Sequence, residues 1–211
     1  PKLGNKLKLG KNKDIWFIVC GAARVSGATL AILEQIKDRE VKVIYIVPDS
    51  FFMSATQKKQ HKVTFGVLQE YARSGMIDSL WLFDNKIVSS IVGEGALGSY
   101  YDNSNSAIAN FLANYNWFKS TNPIIGNLHE PKEISRIRTV SIGELEKGEE
   151  NLYFLLDNIT EMCYYYSISS YKKENDKHLL KNIRTYLETK EQTTFGIWEN
   201  GSDHSFFYSI K

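Results

Sequence analysis

The apolar residues of this chain fall into short unbroken runs separated by helical spacings, and that alternation predicts its elements. Asp14-Ile-Trp-Phe-Ile-Val-Cys20 is a continuous apolar stretch ending at Gly21, the pattern of a strand buried on both faces of a parallel sheet. Leu30, Leu33 and Ile36 then recur at helical spacing between Thr29 and Lys37, with Glu34, Lys37, Asp38 and Arg39 on the wet face. Val41 to Val47 predicts a second buried strand, stopped at Pro48-Asp49. A helix over Val63 to Arg73 with Gly75 at its C-terminal cap, and a third strand over Ser79 to Phe83, repeat the unit. Such alternation predicts an α/β fold with a mainly parallel, doubly wound sheet. Its ligands should gather beyond the carboxyl ends of the strands, in the loops after Cys20, Val47 and Phe83.

Past residue 100 the character changes. Residues 104–119 predict a long helix carrying Ile108, Phe111, Leu112, Tyr115 and Phe118 on one side and ending before Thr121-Asn-Pro123. It bridges to a smaller α+β unit, placing the expected domains at 1–120 and 121–211. In that second unit the patterns predict a strand near Arg138 to Ile142, a helical stretch near Glu149 to Asn158, and an aromatic strand over Met162 to Ile168. An amphipathic helix over Glu174 to Thr189 should follow. The end is expected to be a hairpin joining Thr193–Trp198 to Ser205–Ile210 across Asn200-Gly201.

Composition narrows the function. With 43% hydrophobic and 13% aromatic residues among 211, the chain buries a real core, which excludes disordered and fibrous classes. The 26 Lys and Arg against 24 Asp and Glu leave a net charge of +2, so no nucleic-acid or membrane footprint is expected from bulk electrostatics. Cys20 and Cys163 are far apart in apolar surroundings, which argues against a disulfide framework and fits a reducing cytoplasm. The longest apolar stretch, Ile15 to Ala23, is far shorter than the roughly 20 residues of a membrane span. His61, His129, His178 and His204 lack zinc spacing, and no Gly-x-Ser-x-Gly elbow occurs, so neither a protein-ligated metal nor that kind of hydrolase is expected. Pro1 at the start and a basic lead-in over residues 1–13 raise the expectation of a cut end.

Two glycine-containing loops invite a phosphate. Gly93-Glu-Gly95-Ala-Leu-Gly98 has the letters of a dinucleotide fingerprint, but no apolar helical face follows directly and no acidic residue stands about 20 positions on, so it reads as a loop. Gly21-Ala-Ala-Arg24-Val-Ser26-Gly27 joins the first strand to the first helix, where backbone amides and a helix N-terminus favour an anion. It lacks the Walker lysine, and its plainer reading is a turn capped by Ser26.

Taken in order, three segments resemble the tubulin/FtsZ family of filament-forming GTPases: Phe17 to Gly27, Asp78 to Lys86 with Asp84-Asn85 at its end, and Tyr101-Asp-Asn103-Ser-Asn105. The first is similar in length to that family's GGGTGSG phosphate loop. Gly21, Ser26 and Gly27 are kept; Ala22, Ala23 and Val25 stand where the family has glycine, and a Cβ resists positive φ. Arg24 stands for threonine and offers charge-assisted contacts to phosphate oxygens. The resemblance implies GTP or GDP with Mg²⁺, with Gly21, Arg24, Ser26 and Gly27 near the phosphates. It implies Tyr101 stacked on guanine, read by the amides of Asn85, Asn103 and Asn105, which both donate and accept.

After the long helix, Gly126-Asn127-Leu-His-Glu130-Pro-Lys-Glu133 is similar to the family's acidic loop, which reaches the neighbouring subunit's nucleotide. Glu130 and Glu133 keep an i, i+3 spacing and are expected on one face of a helix beginning near Pro131, where they would be the catalytic carboxylates. A homo-oligomeric filament in a bacterial, plasmid or phage setting is the implied assembly. The family's first glycine-rich loop and the strands before it, roughly a hundred residues of α/β structure, would precede residue 1, and the resemblance so implies a missing N-terminal segment or chain. The alternative is a non-hydrolysing scaffold of the same fold with a degenerate nucleotide site.

Overall fold

The computed structural model describes residues 14–23, 26–93, 99–145 and 149–211. They divide into two compact units, one from the residues up to 87 with 133–138, the other from 88–132 with 139–211.

In the first unit β1 (Asp14–Cys20), β2 (Glu40–Val47) and β3 (Ser79–Asp84) pair in parallel in that order, connected by α1 (Thr29–Ile36) and α2 (Ala55–Arg73). Continuous apolar runs make β2 and β3 central, with Val43, Ile44, Tyr45, Leu80, Trp81 and Phe83 fully buried. The expected burial of β1 on both faces is not met. Among the described residues it pairs only with β2, and Ile18 is half exposed. α2 begins at Ala55, well ahead of Val63, because Ser54 and Gln57 form a reciprocal capping box that starts the helix before its apolar stripe. As expected, the helix stops with Gly75 in the left-handed region. Residues 133–138 join this unit through Leu80 N donating to the Arg136 carbonyl at 2.7 Å.

α3 (Asn85–Val92), which the apolar spacing did not predict, carries the chain onward. The second unit holds α4 (Tyr100–Ser120), β4 (Ile125–Gly126), β5 (Ile137–Glu144), β6 (Glu150–Leu152), β7 (Met162–Ser169), α5 (Ser170–Asn175), α6 (Leu179–Glu188), β8 (Thr193–Asn200) and β9 (Phe206–Ile210). Its strands run β6-β5-β9-β7-β8-β4; β7 and β8 are parallel and the other pairs antiparallel. The aromatic β7 is central and alternates. Tyr165 meets Tyr115 and Phe118 of α4, while Tyr164 and Tyr166 pack with Ile183 and Leu187 of α6. The parallel first unit and the mixed second unit agree with the α/β class expected.

Three local expectations are corrected. The stretch near Glu149 to Asn158 is not helical: Glu150–Leu152 pairs with β5, and Tyr153 N donates to the Val140 carbonyl at 2.8 Å, so sheet pairing overrides helix propensity. The helix over Glu174 to Thr189 is split, because α5 ends at Asp176, whose carboxylate accepts from His178 N at 2.9 Å. No terminal hairpin forms across Asn200-Gly201, since β7 lies between β8 and β9 and pairs with both.

Candidate functional site

β1 delivers the chain to Gly21, whose amide continues the ladder to the Ile46 carbonyl at 2.9 Å. The reason for this glycine is steric. A Cβ here would collide with the Tyr45 hydroxyl and come within 2.9 Å of His61 Nδ1. Those two groups bond at 2.8 Å, with their rings stacked and Phe65 beside them. Burial pushes the Tyr45 phenol up and, against an opposing pull from Asp84, holds the His61 imidazole down. A protonated phenol therefore shares this hydrogen bond with a neutral imidazole.

The next residue, Ala22, has φ +62°, so the loop takes a glycine-like conformation in spite of the Cβ. The left-handed region costs an L-residue about 1–2 kcal/mol, and glycine's larger unfolded-state entropy returns about 0.5–1 kcal/mol. Ala22→Gly is accordingly expected to stabilise the protein by up to about 1 kcal/mol, read by thermal denaturation against the wild type. Arg24 lies outside the described residues. Ser26 is buried and turns inward: its hydroxyl donates to the Cys20 carbonyl at 2.5 Å and its amide to the Ala23 carbonyl at 2.9 Å, closing the turn. It is therefore not the cap of α1, whose N-cap is Ala28 without a side-chain bond. Gly27 is exposed, and a Cβ there would make ordinary contact with Gln60 Nε2 at 3.9 Å, so the backbone at the start of α1 remains accessible to an anion.

At the end of β3, Asp84 caps α3, accepting from the amides of Lys86 and Ile87 at 2.9 and 3.3 Å. Asn85 beside it is buried. Asp84 is thus a helix cap and Asn85 a buried side chain, a difference the sequence motif did not show.

In the second unit α4 starts at Tyr100, ahead of the expected residue 104, and Tyr101 and Asn105 both fall on its exposed surface one turn apart. Spacing of i, i+4 puts the ring and the carboxamide on one face, where they can stack on and read a flat heterocycle. Asn103, two residues from each, points elsewhere: it is half-buried and lines a cavity of about 550 Å³ with Ile142, Tyr153 and Tyr208. The structure therefore brings Tyr101 and Asn105 together and does not bring Asn103 to them. Residues 94–98 of the second glycine loop lie outside the described residues.

Residues 127–136 form an irregular connection with a turn at 133–134, so the helix expected near Pro131 is absent and no helical face joins Glu130 to Glu133. Pro131 and the bonds around it set this course. Glu130 pairs with Lys119 at the end of α4. The buried Glu161, which no local motif marks, accepts from Lys132 N at 2.9 Å and faces His129 at 3.6 Å. Glu133 is exposed. Among the described residues no group of three His, Cys, Asp or Glu side chains is placed to hold a metal ion, and no helix is long and apolar enough to cross a membrane.

No protein-family model matches the sequence, and no curated protein matches it. Solved structures do match. FtsZ from M. jannaschii, in an empty dimer, superposes with a TM-score of 0.69 at 10% identity over 94% of this chain and 62% of that one. CetZ2 from Haloferax volcanii, solved as a GTPγS-bound protofilament, gives 0.64 at 15% identity over 96% and 65%. TubZ-Bt, in a four-stranded filament, gives 0.62 at 14% identity over 92% and 59%. The fold is that of tubulin/FtsZ proteins, and the chain spans less than two thirds of the length of these three.

Proposed function

We propose that this chain, with its tubulin/FtsZ fold, is part of a cytoplasmic GTP-binding protein that assembles into filaments and hydrolyses GTP at the junctions between subunits. The observation that carries the reading is the exposed Tyr101–Asn105 face at the start of α4, in a fold shared with proteins solved bound to GTPγS and GDP and as filaments. In this reading residues 1–120 belong to the nucleotide-binding domain and 121–211 to the assembly domain. Asn85 joins Tyr101 and Asn105 on guanine. The backbone around Gly21 and Gly27, with Arg24, meets the phosphates, and Mg²⁺ enters on the nucleotide rather than on protein ligands. Glu130 and Glu133 act on a neighbour's nucleotide by polarising the attacking water.

A non-hydrolysing scaffold is the second reading. It is favoured by the Cβ of Ala22 in a glycine conformation and by the Ser26 hydroxyl, which is committed to the Cys20 carbonyl. GTP binding and turnover measured on the full-length product at rising protein concentration separate the two: saturable binding without turnover selects the scaffold. Tyr101→Ala is expected to weaken GTP binding by about 1–3 kcal/mol, the range for an aromatic ring stacked on a base. Unchanged affinity would remove Tyr101 from the site. A parallel titration with NAD tests the Gly93 to Gly98 loop.

A further inference from the structure

The loop after β1 keeps a conformation that its own residues do not favour. Cys20 to Ala23 make a four-residue turn, in which Ala23 N donates to the Cys20 carbonyl at 3.4 Å and Ala22 takes the third position with φ +62°. A turn with positive φ at its third residue ordinarily carries Gly or Asn there, because a Cβ resists that region. By local preference alone the Ala22 backbone would leave it. Groups outside the loop must hold it.

α2 and β2 supply them. Gln57, in the first turn of α2, has its carboxamide fixed by the capping box: Oε1 accepts from Ser54 N at 2.9 Å, while Nε2 donates to the Ala22 carbonyl at 3.4 Å. His61 lies four residues on, on the same face of α2, and bonds the Tyr45 hydroxyl at 2.8 Å. That pair stands where a Gly21 side chain would be, and Ala22 beside it is buried. The turn is thus gripped at two successive residues, Gly21 by packing and Ala22 by a hydrogen bond.

We infer that Gln57 and the His61–Tyr45 pair are positioning residues, which brace the turn in its glycine-like form without a glycine and so shape the loop for a phosphate group. Where the loop has lost the conformational freedom of glycine, side chains from the next helix and strand replace it. The consequence for nucleotide rests on the GTP-binding reading. The brace on the loop does not.

Gln57→Glu is the direct test, because its carboxylate still accepts from Ser54 N and keeps the cap of α2, while the donor to Ala22 is lost. His61→Phe is the second variant; it keeps a ring beside Tyr45 and Phe65 and removes the nitrogen that bonds Tyr45. Each is made in the full-length product, in the wild-type background and with Ala22→Gly. Hydrogen exchange at the Ser26 amide, which donates to the Ala23 carbonyl, reads the order of the loop without any ligand. Each substitution should speed that exchange about tenfold in the wild-type background and about twofold with Ala22→Gly, since glycine enters the positive region as readily as the negative. GTP affinity should fall in the same ratio between backgrounds, any repulsion from the new carboxylate being common to both. Equal effects in the two backgrounds, as a plain packing role predicts, overturn the inference, and so does unchanged exchange at Ser26. Exchange that follows the expected ratio in a protein that binds no GTP keeps the brace and removes the nucleotide reading.

Discussion

Glu150→Ala is expected to destabilise the protein by about 3–5 kcal/mol, the range for removing one partner of a buried ion pair. The carboxylate accepts from Ser141 at 2.6 Å, Ser209 at 2.5 Å, Tyr164 at 3.1 Å and Tyr186 at 3.0 Å, and pairs with Lys211 at 2.7 Å. It thereby ties β5, β7, β9 and α6 together around β6. Alanine would strand the Lys211 ammonium and the Tyr164 and Tyr186 hydroxyls, while Ser141 and Ser209 keep their mutual bond at 2.7 Å. Burial alone would raise the Glu150 pKa. The bonds from Lys211, Ser141 and Ser209 and the Lys211 charge outweigh burial and hold it at about 2, against an ordinary 4.5. A carboxyl depressed on folding contributes stability that is present above its unfolded pKa and lost as pH falls through the folded one, here from about 4.5 toward about 2. With solvent screening the linkage amounts to about 2–3 kcal/mol. Urea denaturation should show the gap between wild type and Glu150→Ala wide at pH 7 and narrowing below pH 4.5. A gap that does not change with pH would place the cost in lost packing instead of charge.

Gly126→Ala should come second, at about 2–5 kcal/mol from backbone strain and overpacking combined. Gly126 has φ +150°, and a Cβ there would collide with the Phe195 carbonyl oxygen and lie 2.7 Å from the Gly196 Cα. The obstacle is backbone, so no rotamer change can relieve it. The short β4 contact with β8, held by Ile124 N to Ile197 O at 2.7 Å and Asn127 N to Phe195 O at 2.9 Å, would part. It anchors the loop bearing Glu130, so in the proposed filament turnover should suffer beyond the loss of stability. Hydrogen exchange at Ile124 and Asn127 reads the local opening, and unchanged protection at both amides would contradict it.

How much of the site was legible depends on how local each signal is. Tyr101 and Asn105 could be paired from spacing alone, since four residues make one helical turn. Asn103 could not be separated from them by motif, although the same geometry turns it toward Tyr153 and Tyr208. Gly21 is expected from the loop motif to lie near a phosphate, whereas Tyr45 and His61, which leave no room for a side chain there, arrive from β2 and α2. Nothing near Glu161 in the sequence marks it as the residue that holds the Lys132 amide.

The β1-α1-β2-α2-β3 succession was determined by the sequence itself, because each element there carries its own period and its own stop: an apolar run, a capping residue, a glycine after the last turn. Only the tertiary structure decided that residues 150–152 are a strand, that β7 separates β8 from β9, and that the Ser26 hydroxyl faces inward. In each case the deciding partner is distant along the chain or is a backbone group presented by the fold, such as Ser209 and Lys211 for Glu150 and the Cys20 carbonyl for Ser26. A polar group leaving water takes whichever partner the packed chain brings to it.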